Sequence, residues 1–326
     1  MSSRALLVIL ALALAACGPL GTGGTASADP ELRAIRLVLG YRPDVQFAPF
    51  YVAQQEGFYA DAGLEVTIEH HQAPDVQRLV ADGQAEFGVA DATDVMIART
   101  SGIPIRYAST LYQQFPVAII GADGEVPADP ADLVGRTIGT PGRFGSSWHA
   151  LLALLDAAGL DDGDVTIREY PQFNQADGLA NGDVELITGF RNNEPLRLET
   201  LGVETALLTV DDVAPLPGPG IIVGDELLEA DPELVADFVE ATASAQAAII
   251  DDPDLGFAAA EVAVPTIAEA PEVARSVLDA TIELWRGDGF GDGAIPMELW
   301  AGAFDTMVRL GFIDGSVPVD EMVIAP

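Results

Sequence analysis

The sequence contains no lysine, and all 15 of its basic residues are arginine. Without lysine the chain cannot form a Schiff base with pyridoxal phosphate or with a carbonyl substrate. It also lacks the lysine of a phosphate-binding P-loop. The composition therefore argues against enzymes that depend on either group.

Residues that commonly bind metals are also scarce, with one cysteine and three histidines. His70 and His71 are neighbours on a predicted strand and therefore point to opposite faces of a sheet. Because structural and catalytic zinc sites use several cysteine or histidine ligands, we expect no zinc site. His149 lies close to Ser146 and Ser147, but no G-x-S-x-G motif surrounds these serines. An enzyme is the alternative class, and we expect a binding protein without a cofactor.

Acidic residues dominate the charge, with 51 Asp and Glu and a formal net charge of −36. Such a surface repels phosphate backbones, so a nucleic-acid partner is excluded. Hydrophobic residues make up 49% of the chain and charged residues 20%, which is typical of a globular protein with a large core.

The first residues have the pattern of a secretory signal. Arg4 precedes an apolar run at residues 5–13, which is too short to span a bilayer. The sequence Leu14-Ala15-Ala16-Cys17 resembles a bacterial lipobox, in which the cysteine is lipidated. We therefore predict a lipoprotein signal peptide at residues 1–16 and a lipidated Cys17. A flexible linker to residue 33 follows, on the extracytoplasmic side of the membrane.

Strand-like and helix-like segments then alternate, which predicts an α/β fold with mostly parallel sheets. Strands are predicted at residues 35–41, 65–71, 87–90, 105–112, 117–121, 137–140, 165–170, 184–188 and 206–210. Helices are predicted at residues 48–62, 75–82, 92–101, 147–158, 175–181 and 194–201, and the chain becomes mostly helical from residue 225.

The order of these elements indicates two lobes. Residues 34–112 together with 213–326 form lobe 1 in this interpretation, and residues 117–210 form lobe 2. The crossovers lie near residues 113–116 and 211–220, and the second contains three prolines and two glycines. Ligands of such folds bind at the carboxyl ends of strands and at helix N-termini, so we expect the site in the cleft between the lobes.

Several segments resemble periplasmic solute-binding proteins that feed ABC importers. They are YRPDVQFAPFYVAQQEGFYADAGLEVTI (41–68), DGQAEFGVAD (82–91), LYQQFPVAII (111–120), DLVGRTIGTPGRFGSS (132–147) and NGDVELITGFRNNEP (181–195). The resemblance is to the group that handles thiamine pyrimidine precursors, riboflavin and, more distantly, alkanesulfonates. Some relatives have tryptophan where this chain has Tyr41, and others have histidine at the position of Phe47 or Ala48. The segments YQQFPVA, GRFGSSW and FRNNEP are more similar to the riboflavin-type branch.

This resemblance implies a type II periplasmic binding protein, with two α/β lobes that close on a small ligand. It implies riboflavin as the first candidate ligand, a thiamine pyrimidine precursor as the second, and an alkanesulfonate or similar anion as the alternative. The implied partners are the permease and ATPase subunits of an importer, and we expect a monomer.

Candidate site residues lie after predicted strands or at the starts of helices. The rings are Tyr41, Phe47, Tyr112, Phe144, Trp148 and Phe190, and the polar residues are Asp91, Ser146, Ser147, Gln172, Asn192, Asn193 and Glu194. We expect Tyr41 and Trp148 to cover the two faces of a flat ligand. The alternative for the rings is core packing, and for the polar residues it is helix capping.

Overall fold

The computed structural model of the protein describes residues 32–286 and 294–324, so the predicted signal peptide and Cys17 lie outside the described residues. The strands are, in chain order, β1 (Arg33–Leu39), β2 (Leu64–His70), β3 (Phe87–Ala90), β4 (Ile105–Thr110), β5 (Val117–Ala122), β6 (Thr137–Thr140), β7 (Thr166–Glu169), β8 (Leu186–Phe190), β9 (Thr205–Thr209) and β10 (Gly220–Gly224). The α-helices are α1 (Ala48–Gln55), α2 (Phe58–Asp61), α3 (Ala73–Ala81), α4 (Ala92–Thr100), α5 (Gly145–Ala157), α6 (Gln175–Ala180), α7 (Glu194–Thr200), α8 (Asp225–Ala230), α9 (Pro232–Asp251), α10 (Pro253–Ala263), α11 (Pro271–Trp285) and α12 (Met297–Arg309).

The strands form two five-stranded sheets, in the orders β2-β1-β3-β10-β4 and β7-β6-β8-β5-β9. In the first sheet β10 runs antiparallel to both of its neighbours, and in the second sheet β5 does the same. The remaining strands of each sheet are parallel. This confirms the predicted fold class, a two-lobe α/β protein with mostly parallel sheets. We call the first sheet and its helices lobe 1 and the second sheet and its helices lobe 2.

Two elements differ from the prediction. Strand β10 was not predicted, because its five residues directly follow a crossover rich in proline and glycine. The predicted helix at residues 48–62 is divided into α1 and α2 by Gly57. This residue has a φ of +87°, in the left-handed region that glycine adopts without steric cost.

The two crossovers between the lobes run side by side. The backbone N–H groups of Leu111 and Tyr112 both donate to the carbonyl oxygen of Pro219, at 3.2 Å. Gly218 permits this approach, because a Cβ at this position would collide with the carbonyl oxygen of Tyr112. The N–H of Phe115 donates to the Asp211 carboxylate at 3.1 Å. These contacts hold the two crossover segments together. A hinge between the lobes would have to lie in these segments.

The core of lobe 1 includes the C-terminal helices as well as the first sheet. The Phe238 ring of α9 stacks on Phe87 of β3 and on Tyr59 of α2, with centroid distances of 3.9 Å and 5.2 Å. The long helix α9 therefore packs through Phe238 against both the first sheet and α2. Among the described helices, none has both the length and the apolar character needed to cross a bilayer.

Candidate ligand-binding site

An open cavity lies between the two lobes, at the carboxyl ends of several parallel strands. Lobe 1 contributes the segment after β1, the start of α4 and the first crossover, whereas lobe 2 contributes the starts of α5, α6 and α7. This is the position at which open α/β sheets bind ligands. Ten of the predicted site residues line the cavity, namely Tyr41, Phe47, Asp91, Tyr112, Phe144, Ser146, Ser147, Phe190, Asn193 and Glu194.

Three predicted residues lie outside the lining, for different reasons. Trp148 follows Ser146 and Ser147 on α5, and the rotation of the helix turns its ring away from the cavity. The ring is 5% exposed and lies under the Arg143 guanidinium, whose carbon is 4.7 Å from the ring centroid. Asn192 is buried and donates from Nδ2 to Thr281 Oγ1 on α11 at 2.7 Å. Gln172 is exposed. The expected pairing of Tyr41 with Trp148 across a ligand is therefore not the arrangement in the structure.

The lining residues that were absent from the predicted site include Phe173, Gln175 and Trp285. The ring of Phe173, in lobe 2, packs edge-on against Tyr41, in lobe 1, with a centroid distance of 5.2 Å and an interplanar angle of 87°. Phe173 has a φ of +57°, a backbone strain that is uncommon outside glycine and often found at ligand sites. The available sequence signal was the position of Phe173, three residues after the predicted strand at residues 165–170.

Aromatic rings form much of the cavity wall. Of the lining rings, Tyr112 and Trp285 are buried, Tyr41, Phe173 and Phe190 are half-buried, and Phe144 is 37% exposed. The Tyr112 hydroxyl donates to Gln46 Oε1 at 3.2 Å, which fixes both side chains. Partly exposed rings on both lobes suit a flat ligand, because stacking and burial of apolar area both favour binding.

Glu194 occupies the first position of α7 and folds back over β8. Its Oε2 accepts the Phe190 N–H at 2.7 Å, and its Oε1 accepts from Gln175 Nε2 at 3.2 Å. Gly189 makes room for it, since a Cβ there would lie 2.8 Å from Glu194 Cγ. Burial raises the pKa of Glu194 to about 7, and the Phe190 N–H limits that rise. Near neutral pH this carboxyl can therefore exist with or without a proton.

The Gln175 side chain is 2% exposed and lines the cavity. Its Nε2 group donates to Glu194 and, at 3.5 Å, to the Thr188 carbonyl oxygen, which determines the orientation of the amide. Within the described part of the chain, Gln175 Oε1 has no hydrogen-bond partner. A buried acceptor without a partner is costly, so this atom favours a ligand that donates an N–H or O–H group.

Asp91 and Asp94 form the opposite polar wall, at the start of α4. Asp91 Oδ2 accepts the Ser146 N–H from lobe 2 at 2.9 Å. Burial raises the pKa of Asp94 well above its ordinary value, and the negative charge of Asp91 raises it further. Burial also raises the pKa of Asp91, but the hydrogen bond from Ser146 opposes this rise. Of the two carboxyls, Asp94 therefore has the more strongly raised pKa.

His149 does not form a hydrolase-type pair with the cavity serines. Its Nδ1 is 2.8 Å from Thr93 Oγ1 and 3.7 Å from Asp94 Oδ1, and its ring packs edge-on against Phe312. Burial lowers the pKa of His149 to about 4, so the ring is neutral at pH 7. In residues 32–286 and 294–324, no group of three or more His, Cys, Asp or Glu side chains has a metal-binding arrangement.

Comparison with known proteins gives a family for this chain. A protein-family model described as "NMT1/THI5 like" matches residues 44–255. The chain is 35% identical to the riboflavin-binding protein RibY of Chloroflexus aurantiacus over 304 residues, which cover 90% of this chain and 85% of that protein. It is 27% identical to the formylaminopyrimidine-binding protein of Halalkalibacterium halodurans over 312 residues, with 92% of each chain covered.

An enzyme and a further binding protein are also similar. The 4-amino-5-hydroxymethyl-2-methylpyrimidine phosphate synthase of Legionella pneumophila is 29% identical over 230 residues, which cover 68% of this chain and 71% of the synthase. Among solved structures, the periplasmic aliphatic sulphonate binding protein SsuA of Escherichia coli superposes with a TM-score of 0.70 at 16% identity. The superposition covers 90% of this chain and 92% of SsuA. At that identity the similarity shows the shared periplasmic binding protein fold.

Proposed function

The chain belongs to the NMT1/THI5-like family, and from this membership and the geometry of its cleft we propose that it is the substrate-binding component of an ABC importer. It captures a small, flat heteroaromatic ligand in the cavity between its lobes, and the lobes close on that ligand. Riboflavin is the first candidate, and a thiamine pyrimidine precursor is the second.

The observation that carries this proposal is the composition of the cavity wall. Half-buried rings from both lobes, Tyr41, Phe173 and Phe190, stand beside the buried acceptors Gln175 and Glu194. The rings suit the two faces of a flat ligand, and the acceptors suit N–H or O–H groups at its edge. The 35% identity to RibY over 90% of the chain supports riboflavin, because that relative is named for binding it.

An aliphatic sulfonate is less compatible with this wall. The described residues that line the cavity include Asp91, Asp94 and Glu194 but no lysine, arginine or histidine. A sulfonate would need a cationic partner or several free N–H donors to replace its hydration. The structural similarity to the E. coli sulphonate binding protein therefore supports the fold, and the lining argues for a different ligand.

An enzyme of the pyrimidine-synthase type is the second class to consider, because several relatives carry that name. The chain has no lysine to hold pyridoxal phosphate, and we propose binding without chemistry. Protein purified from rich medium should release its ligand on denaturation chemically unchanged, and a bound flavin should colour it yellow. Mass spectrometry and an absorbance spectrum test this. Conversion of riboflavin or of the aminopyrimidine into a product by the purified protein would contradict the proposal.

We further propose that the protein is a lipoprotein anchored through Cys17 on the extracytoplasmic side. Residues 1–31 lie outside the described residues, and the lipobox-like sequence and the linker after Cys17 support this assignment.

Substitution Cys17→Ser should release the protein from membranes while leaving its fold unchanged, because the cysteine precedes both predicted lobes in the sequence and a lipid chain needs its sulfur. Membrane fractionation of producing cells, with and without detergent, measures the release. Thr22→Ser is the matched control in the linker and should stay with the membrane. Equal membrane retention of Cys17→Ser and of the parent would contradict lipid anchoring.

A further inference from the structure

A carboxylate from lobe 1 occupies the start of a helix in lobe 2. Asp91 follows β3, and its Oδ2 accepts the Ser146 N–H at the first turn of α5, at 2.9 Å. Helix α5 has 13 residues, so its dipole and its free N–H groups attract an anion at this end. The protein's own carboxylate therefore takes the place at which lobe 2 would attract an anionic ligand.

The remaining charges of the cavity have the same sign. Glu194 lies on the other wall, and the described lining contains no basic side chain. Arg42 lies close to this wall: it limits the rise in the pKa of Glu194, and its guanidinium carbon lies 5.2 Å from the centroid of the Tyr41 ring. Arg42 is exposed and is not part of the lining, so water solvates it and its effect on a bound ligand is weak.

The hydrogen-bonding groups of the cavity point to the same kind of ligand. Gln175 Oε1 is a buried acceptor without a partner in the described chain, and Glu194 and Asp91 are acceptors as well. Such a wall pairs with the N–H and O–H groups of an uncharged ligand. A phosphate ester replaces a donating hydroxyl by a group with a charge of about −1.5 to −2 at pH 7 and strong acceptor oxygens.

We propose that Asp91 is a specificity-determining residue that makes the cleft reject anionic ligands. The cleft accordingly takes the free alcohol of a flat heteroaromatic compound and refuses the phosphate ester of the same compound. Juxtaposed like charges exclude wrong partners without adding any contact to the right one. This inference rests on the proposed function, since it concerns the same cavity.

The test uses two pairs of compounds that differ only by a phosphate. Riboflavin and riboflavin 5′-phosphate are titrated by flavin fluorescence. The alcohol 4-amino-5-hydroxymethyl-2-methylpyrimidine and its phosphate are titrated by calorimetry, all at pH 8 and one ionic strength. For the alcohol that binds, we expect the phosphate ester to bind at least about tenfold more weakly to the parent protein.

Asp91→Asn retains an acceptor oxygen for the Ser146 N–H and removes the charge. We expect it to bring the affinities for alcohol and ester to within about threefold of each other. Glu226→Gln is the matched control, because Glu226 is exposed on α8 and outside the lining. It removes one charge from the same acidic protein and should keep the discrimination of the parent.

Each outcome decides a different point. Equal binding of alcohol and ester by the parent overturns the inference and leaves the proposed function intact, and this result needs no variant. Discrimination that persists unchanged in Asp91→Asn overturns the role of Asp91. If Glu226→Gln loses the discrimination as much as Asp91→Asn does, overall charge causes the effect. That result also overturns the role of Asp91. Binding of neither alcohol contradicts the proposed function itself.

Discussion

Lowering the pH from 8 to 5 is expected to weaken binding of a ligand that donates to Glu194 by up to about a hundredfold. Burial raises the pKa of this carboxyl to about 7. A donating ligand prefers the ionised carboxylate, so below pH 7 binding must displace a proton. The affinity then falls by as much as tenfold for each pH unit, which gives about a hundredfold two units below the pKa.

The measurement is a riboflavin titration at pH 8, 7, 6 and 5, in the parent and in Glu194→Gln. The variant keeps an acceptor oxygen but has no proton to exchange, so its affinity should change much less over this range. Asp91 and Asp94 remain in both proteins, which separates their titration from that of Glu194. A parent affinity that is constant from pH 8 to 5, or an equal slope in both proteins, would contradict this role.

The same carboxyl should affect the stability of the ligand-free protein with a defined sign. Its pKa is higher in the folded state than the ordinary value of 4.5. Its contribution to the free energy of unfolding is therefore fully present below about pH 4.5 and is lost as the pH rises through 7. The difference corresponds to about 3 kcal/mol. Denaturant unfolding at pH 5 and pH 8 should show this loss in the parent and not in Glu194→Gln.

Removing a half-buried ring from either lobe is expected to weaken ligand binding by about tenfold to a hundredfold. Tyr41→Ala and Phe190→Ala each remove stacking and apolar burial worth about 1–3 kcal/mol. Tyr41→Phe should cost less, because the ring remains and only the hydroxyl is lost. Calorimetry with riboflavin measures these differences, and circular dichroism checks that each variant is folded.

Trp148→Phe is the matched control for the rings. Trp148 lies in lobe 2 and directly follows the lining residue Ser147 in the sequence. Its ring lies beneath Arg143 and does not line the cavity. We expect its replacement by another ring to leave the riboflavin affinity unchanged. Loss of affinity in Trp148→Phe together with full affinity in Tyr41→Ala and Phe190→Ala would contradict the assignment of the cavity wall.

Much of the two-lobe fold could be predicted from the sequence because local patterns carry it. Alternating strand-like and helix-like segments separated by glycine, as at Gly63, follow from propensity and capping. Strand β10 could not be predicted from such local patterns. It pairs with β3 and β4, more than a hundred residues earlier, and no local pattern specifies that pairing.

The candidate site was predictable where a residue lies at or just after the end of a strand, as Tyr41 and Asp91 do. It was not predictable where the rotation of a helix decides which side chain faces the cavity, which is why Ser147 lines it and Trp148 does not. Trp285 reaches the same wall from α11 and gives no sign of this in its neighbouring sequence. Its position depends on how the C-terminal helices pack on lobe 1.

Titration of the purified chain with riboflavin, followed by flavin fluorescence, tests most directly whether this cleft binds a flat heteroaromatic ligand. We expect saturable quenching with one riboflavin per chain, because one cavity holds rings and acceptors from both lobes. The signal should weaken in Tyr41→Ala and persist in Trp148→Phe. Flavin fluorescence that stays unchanged at every protein concentration, while an alkanesulfonate binds tightly, would contradict the account.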